Sequence, residues 1–266
     1  MHPRINRRSL LLAALISGSA ISPGISNATI VEFQTVMGNF EVNLYDNATP
    51  ATVANFLDYV NNGAYTNSVY HRSLPGFVVQ GGGFTFDMTV PLNSIPTNPP
   101  VTNEPEFSNV RGTIAMAKQA NDPNSATNQW FINLADNSTG LDGQNGGFTA
   151  FGEVVGSGMD VIDAIAALPT YDFGAPTDDL PLRNYTANDF ANNVPLDGTH
   201  LVIVNAIVIS DSTVDSAAGL NPPLNTANTG GGAPPPPPTA SGGGGGGSFG
   251  IFGLLALLFG YGFRRP

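Results

Sequence analysis

Alternating apolar and polar positions predict a hairpin at the start of the folded region. Residues 30–35 are strand-like and Met37-Gly38-Asn39 can form a turn. Phe40, Val42 and Leu44 then alternate with polar residues. A period of two with one apolar face is typical of a half-buried antiparallel strand. We therefore expect two paired strands here.

Two later segments change to helical spacing. In the first, Thr49 can cap a helix, Pro50 suits its first turn and Gly63 suits its end. The apolar residues at spacings of three and four are Val53, Phe56, Leu57 and Val60. The second helix is predicted over residues 158–168 and ends before Pro169.

The rest of this region reads as short strands separated by glycine-rich turns. The strand-like stretches are residues 77–80, 112–117, 129–133, 149–153 and 200–209. Many short strands with two helices favour a mainly β fold, a closed β-barrel with helical caps. The domain is predicted to span residues 29–216, with an acidic insertion at residues 169–199.

The composition excludes several kinds of chemistry. The chain has no cysteine, which removes disulfides, thiolate metal sites and thiol catalysis. Its three histidines are His2, His71 and His200, too few for a His-rich metal site or an ordinary Ser-His-Asp mechanism. No metal site is predicted.

The first 28 residues are predicted to be a secretory signal. A basic start precedes the apolar run at residues 10–16, and Ser26-Asn27-Ala28 offers small residues for cleavage. The basic residues are Arg4, Arg7 and Arg8. The alternative is a buried N-terminal helix. The general secretory route is preferred to the twin-arginine route.

The C-terminal end has an unusual composition. A Pro/Gly-rich linker is predicted over residues 217–248, including Pro234–Pro238, and an apolar segment over residues 249–266 ends in Arg264-Arg265-Pro266. This arrangement resembles the GlyGly-CTERM sorting tail of Gram-negative bacteria. The resemblance implies membrane contact, processing by a rhomboid-like sorting protease and delivery toward the cell surface. The alternative is a plain membrane anchor.

The charge disfavours polyanionic partners. The net charge is −11, and five of the nine basic residues lie in the two ends just described, which contain no acidic residue. The remaining chain has four basic residues against 20 acidic ones. Nucleic acid would be repelled by such a surface, so no nucleic-acid partner is predicted.

Three motifs decide the family prediction. They are Tyr65–Gly82 (YTNSVYHRSLPGFVVQGG), Arg111–Lys118 followed by Ser125–Asn133, and Leu141-Asp142-Gly143 followed by residues 148–154. In order and spacing they resemble the cyclophilins, which are peptidyl-prolyl cis–trans isomerases, and residues 49–56 resemble that family's first helix. The resemblance implies an eight-stranded antiparallel barrel capped by two helices, without metal or organic cofactor. We expect a monomeric catalytic domain that acts on proline-containing polypeptides in the periplasm or at the cell surface.

The same resemblance implies roles for ten residues. Arg72 matches the catalytic arginine, and Gln80 matches the glutamine that orients it. The residues that match the proline pocket and the adjoining peptide groove are Phe77, Val78, Ala117, Lys118, Gln129, Phe131, Leu141 and Phe148. Strand alternation puts Val78 and Gln80 on one face but Phe77 on the other, so a twist or bulge after Pro75-Gly76 is required.

The residue types suit the implied reaction. Rotation about an amide bond has a barrier of ~18–20 kcal/mol because nitrogen donates its lone pair into the carbonyl. A fixed cation that donates to the proline nitrogen withdraws that lone pair, and arginine stays charged and presents a rigid set of donors. No nucleophile and no proton transfer are needed.

Other interpretations remain open from the sequence alone. Arg72 could form a surface ion pair, Phe77 and Phe131 could be core residues, and His71 is expected to be structural. The acidic insertion could bind calcium, but it lacks the spacing of a known calcium loop, so a solvated insertion is favoured. The rival functions are a proline-peptide binding module and a surface-displayed scaffold with incidental catalysis.

Overall fold

A computed structural model describes residues 29–88, 90–212 and 220–227. The predicted signal peptide and most of the predicted tail, from residue 228 onward, lie outside the described residues. Within the described ranges, no helix is both long and apolar enough to cross a bilayer. The predicted domain boundaries stay a prediction.

The described residues form thirteen strands and four α-helices. The strands are β1 (Ile30–Thr35), β2 (Gly38–Leu44), β3 (Ser68–Val69), β4 (Arg72–Leu74), β5 (Val78–Gly81), β6 (Phe84–Thr85), β7 (Asn93–Ser94), β8 (Thr113–Met116), β9 (Trp130–Asn133), β10 (Ala150–Val155), β11 (Thr170–Tyr171), β12 (Leu180–Pro181) and β13 (Ile203–Asp211). The helices are α1 (Pro50–Asn61), α2 (Ser138–Leu141), α3 (Gly158–Ala166) and α4 (Ala187–Ala191).

Eleven strands form one antiparallel sheet that curls into a half-barrel. Their order is β4-β5-β9-β8-β10-β2-β1-β13-β3-β6-β7, and β11 pairs only with β12. The mainly β prediction is confirmed. The sheet has eleven strands where eight were predicted, because irregular residues interrupt the ladder between β3 and β4 and between β5 and β6, and because β6 pairs with a further two-residue strand, β7. The described residues also contain four helices instead of two, and barrel closure stays a prediction.

The predicted hairpin and both predicted helices are present. In β1, Val31 and Phe33 are fully buried, whereas their neighbours are partly exposed. Phe33 stacks on Phe40 with ring centroids 4.7 Å apart and meets Trp130 edge-on at 5.2 Å. α1 buries Phe56 completely against the same core. The core therefore fills the concave side of the half-barrel.

The acidic insertion is an ordered part of the molecule. It contains the β11–β12 hairpin and α4, where Thr186 and Asp189 form a reciprocal capping box. Leu180 and Leu182 are buried in a separate apolar cluster with Val69. Among the described residues there is no group of three His, Cys, Asp or Glu that could hold a metal ion.

Candidate functional site

Strand register places Arg72 beside the other residues that the sequence pointed to. Arg72 of β4 is directly opposite Gln80 of β5, which is opposite Phe131 of β9. Phe131 is in turn opposite Ala115 of β8. Directly opposed residues in an antiparallel sheet share a face, so these four side chains form one row on the convex side of the half-barrel.

Two glutamines connect the arginine to the next strand. Nη1 of Arg72 lies 3.4 Å from Oε1 of Gln80, a long hydrogen bond. Nε2 of Gln80 donates to Oε1 of Gln129 at 2.8 Å. All three side chains are almost fully buried. Because the amide of Gln80 is held at both ends, its oxygen faces the guanidinium.

An apolar cluster adjoins this polar row. It is separate from the main core and includes the predicted pocket residues from four parts of the chain: Val78, Ala117, Phe131, Leu141 and Phe148, with Phe77 packed against them. The rings of Phe131 and Phe148 meet at 71° with centroids 5.9 Å apart. The structure thus brings the predicted pocket residues together on the convex face.

Phe77 reaches this cluster without the bulge that alternation required. The strand begins at Val78, so Phe77 belongs to the preceding turn and strand alternation does not apply to it. Its backbone N–H donates to the carbonyl of Leu74 at 3.0 Å, and Gly76 has a φ of +75°, which favours glycine. Phe77 is partly exposed at the margin of the cluster.

Lys118 contributes to the site through the loop beside Phe148. Its Nζ donates to the carbonyls of Asn145 at 2.9 Å and Gly147 at 2.5 Å. It also lies 4.8 Å from the centroid of the Phe148 ring. Burial lowers the pKa of Lys118 to about 8, and the charge of Asp122 opposes this shift. The side chain therefore holds this loop beside the Phe148 ring.

The charge of Arg72 is stabilised by the acidic insertion. Burial lowers its pKa, and the carboxylates of Asp178 and Asp179 oppose that shift. Oδ2 of Asp179 is 3.7 Å from Nε of Arg72. The neighbouring His71 is a poor base, because burial and then the charge of Arg72 lower its pKa to about 3. His71 packs edge-on against Phe84, with ring centroids 4.9 Å apart.

The sequence interpretation missed parts of this site. Ala115 and Ala150 are buried in the apolar cluster, and strand alternation from Ala117 could have indicated Ala115. Asp179 was placed in an insertion thought to be solvated, and nothing in its spacing pointed to Arg72. The ion pair depends on how the hairpin folds back.

The glycine run after Gln80 has a steric role that its sequence did not reveal. A Cβ on Gly81 would lie 2.8 Å from the Trp130 ring, and one on Gly83 would lie 2.7 Å from the side-chain amide of Gln129. Gly82 has a φ of +79°. The run lets the chain pass closely over Gln129 and Trp130.

Comparisons with known proteins give the family of this sequence. The family described as cyclophilin type peptidyl-prolyl cis-trans isomerase/CLD matches residues 30–187. A peptidyl-prolyl cis-trans isomerase A of Dickeya dadantii is 44% identical over 181 residues, which cover 65% of this chain and 92% of that protein. A peptidyl-prolyl cis-trans isomerase of Acinetobacter baylyi is 40% identical over 164 residues, which cover 61% of this chain and 85% of that protein.

The fold has counterparts among solved structures. The crystal structure of a cyclophilin type peptidyl-prolyl cis-trans isomerase of Cryptosporidium parvum matches with a TM-score of 0.51 and 22% identity. The match covers 70% of this chain and 99% of that one, and at this identity it supports the fold alone. The family match spans more than half of the chain and includes β4, β5, β8 and β9. The chain belongs to the cyclophilin type peptidyl-prolyl cis-trans isomerase family.

Proposed function

We propose that this chain catalyses cis–trans isomerisation of X-Pro bonds in polypeptides, with Arg72 as the catalytic residue and Gln80 as the residue that orients it. The observation that carries the proposal is the register that sets Arg72, Gln80 and Phe131 side by side on one face. A buried guanidinium next to a second, apolar cluster is the pair of features that the reaction requires: a cation for the proline nitrogen and a surface for its ring.

The proposed mechanism needs only binding and electrostatics. The proline ring packs against the partly exposed Phe77, at the margin of the cluster that contains the buried Phe131 and Leu141, while the peptide backbone is held near Gln129 and Ala117. The carbonyl that precedes proline is left to rotate. A guanidinium N–H donates to the proline nitrogen as it becomes pyramidal, which weakens the partial double bond.

One hydrogen bond from Arg72 accounts for only part of the free energy that the acceleration requires. An acceleration of ~10⁶-fold requires about 8 kcal/mol. One hydrogen bond to a charged group supplies roughly 1.5–3 kcal/mol. The remainder has to come from fixed orientation and from the low-dielectric surroundings of Arg72. The near-complete burial of Arg72 supports such surroundings.

Substitution of Arg72 tests this proposal directly. In a protease-coupled assay with a proline-containing peptide, Arg72→Ala is expected to lower kcat/KM by roughly 10- to 100-fold, the equivalent of the one charge-assisted hydrogen bond. Arg111→Ala is the control, because Arg111 makes a surface ion pair with Asp163 at 2.7 Å. It should leave kcat/KM within twofold. An Arg72→Ala enzyme within threefold of wild type would refute the role of Arg72.

The same variant separates catalysis from simple peptide binding. If the chain were a binding module, Arg72→Ala would change peptide affinity and turnover together. Under the proposed mechanism it retains part of its peptide affinity and loses turnover, because the apolar cluster remains intact.

The half-barrel is proposed to close through the segment that holds Arg72. β3 pairs with β13 on one side, and β4 pairs with β5 on the other. Between them, the N–H of Tyr70 donates to Val202 O and the N–H of His71 donates to Gln80 O, both at 3.1 Å. One continuous stretch of chain would thus join the two sides of an eight-stranded barrel.

The location of the protein is a second part of the proposal. The sequence pattern of residues 1–28 supports export, and the pattern of residues 229–266 supports a sorting tail that contacts the membrane and is processed by a sorting protease. The clients would then be proteins of the periplasm or cell surface of a Gram-negative bacterium. Mass spectrometry of both ends of the mature protein is the test: an intact residue 1 would contradict export through a cleaved signal.

A further inference from the structure

Asp179 joins the acidic insertion to the proposed catalytic strand β4. Asp179 immediately precedes β12, and its backbone carbonyl accepts a hydrogen bond from the N–H of Ser73 at 2.9 Å. β4 is the terminal strand of the sheet order, so the edge that does not face β5 is available for this contact. The insertion hairpin is therefore docked beside Arg72 by main-chain atoms.

The side chain of Asp179 makes a separate contact. Its Oδ2 lies 3.7 Å from Nε of Arg72, whereas Gln80 contacts Nη1 of the same guanidinium at 3.4 Å. Two contacts to different nitrogens of a planar group restrict both its position and the orientation of its plane. If the long hydrogen bond to Gln80 were the sole contact, the guanidinium plane of Arg72 could still rotate about it.

The electrostatics favour this arrangement. Arg72 is 1% exposed and Asp179 is 27% exposed, so the pair is shielded from water on the arginine side. A buried charge needs a partner of opposite charge to offset the cost of desolvation, and the attraction between the two charges is stronger where water is excluded. Asp178 adds a second negative charge that acts on Arg72, but no ion pair joins it to the guanidinium among the described residues.

We propose that Asp179 is a positioning residue for the isomerase reaction: it holds Nε of Arg72 so that the remaining guanidinium N–H groups face the X-Pro bond. This inference rests on the proposed catalytic role of Arg72. It also gives the acidic insertion a function, because the hairpin delivers a carboxylate to the edge of β4. Positioning acts on the transition state and should therefore appear in kcat, with little change in KM.

Variants of Asp179 in the full chain test the proposal. Asp179→Ala is expected to lower kcat by about three- to tenfold with KM within twofold of wild type. Asp179→Asn keeps an acceptor oxygen without the charge and should lie between wild type and Asp179→Ala. Both variants retain the main-chain bond to Ser73, so the hairpin should stay docked. The matched control is Asp172→Asn, which removes one negative charge from the same insertion and should leave kcat within twofold, since the Oδ1 of Asp172 accepts from the N–H of Gly174 at 2.8 Å and the amide keeps that acceptor.

A spectroscopic measurement follows the arginine itself. In NMR spectra, the Nε–H of a held arginine exchanges slowly with water, and the signal of Arg72 can be assigned by its loss in Arg72→Lys. We expect the signal to persist in Asp172→Asn and to broaden or disappear in Asp179→Ala.

The outcomes separate this inference from the proposed function. If Arg72→Ala loses turnover but Asp179→Ala retains both kcat and the Nε–H signal, the positioning role is wrong and the isomerase proposal stands. If Asp172→Asn lowers kcat as much as Asp179→Asn, the effect is one of net charge and positioning is again wrong. If Arg72→Ala retains turnover, the proposed catalytic role of Arg72 is wrong, and the positioning role of Asp179 that rests on it is wrong as well.

Discussion

Burial changes the energetic role of Lys118. The ammonium group lies under the loop at residues 144–147 and donates to two backbone carbonyls there. Because burial disfavours the charged form, its pKa falls from 10.5 to about 8. Near neutral pH the folded protein keeps this proton at a cost in free energy.

This cost predicts how stability depends on pH. Between pH 8 and pH 9 the folded state releases the Lys118 proton while the unfolded state still binds it, so the free energy of unfolding should rise with pH. The expected gain is about 1 kcal/mol over this window. The window ends below pH 10 because burial raises the pKa of tyrosines such as Tyr65 and Tyr70 and keeps them protonated in the folded state, and their ionisation in the unfolded state would lower stability there. Urea unfolding at both pH values measures it. Lys118→Met should remove the rise, and a wild-type curve that is flat or falling would contradict the assignment.

Single residues of the site could be predicted where the reaction fixes their type. Arg72, Gln80 and Phe131 stand in motifs whose spacing is specific, and the structure brings them into one row. Asp179 could not be predicted in the same way. Its partner is more than one hundred positions away, and the contact exists only because a hairpin folds against the edge of β4.

The helices and strands differed in how well the sequence predicted them. α1 and α3 lie within their predicted ranges, because a proline marks one end of each helix. Pro50 is the first residue of α1, and Pro169 follows the end of α3. Strand ends shifted by one to three residues, as in β13, which begins at Ile203. Strand limits depend on partners in the sheet, and these are not encoded locally.

The glycine run at residues 81–83 gives a prediction for the end of β5. Gly83→Ala should displace the side chain of Gln129, since the new Cβ would lie 2.7 Å from its amide. The hydrogen bond from Gln80 to Gln129 would then be lost. We expect kcat/KM to fall by about three- to tenfold and the free energy of unfolding to fall by about 1–2 kcal/mol.

A second glycine provides the control for that variant. Gly156 has a φ of +61°, and no atom lies within 4 Å of the position that a Cβ would take there, so Gly156→Ala tests backbone strain without crowding. It should reduce stability by about 1 kcal/mol and leave kcat/KM unchanged. If Gly83→Ala kept full activity, the hydrogen bond between Gln80 and Gln129 would not be required for turnover.

At the scale of the whole molecule, the half-barrel separates two kinds of apolar packing. Its concave side holds the main core around Phe33 and Trp130, and its convex side holds the smaller cluster around Phe131. Alternation along β9 sends neighbouring side chains to opposite sides, which is why one strand serves both stability and the site. The sequence predicted a strand over residues 129–133, but it could not predict which segments cover this outer cluster around Phe131.

Residues 220–227 are one such covering segment. They lie beyond the family match and within the predicted linker, yet they pack against the domain. The N–H of Ser108 donates to Pro223 O, and the N–H of Asn225 donates to Glu106 O, both at 2.9 Å. The side chain of Asn225 is buried and donates to Asp142 O at 3.0 Å, next to Leu141 of the outer cluster.

This docking makes Asn225 a test of whether the segment stabilises the domain. Asn225→Ala removes the donor to Asp142 and leaves a buried carbonyl without that bond, so the free energy of unfolding should fall by about 1–3 kcal/mol. Leu224→Ala is the neighbouring control: its side chain is 60% exposed, and the loss should stay within about 0.5 kcal/mol. Chemical denaturation of the full chain and both variants measures the difference. Equal stability of Asn225→Ala and wild type would mean that the side chain of Asn225 does not stabilise the domain, and that the main-chain bonds of residues 220–227 hold this segment.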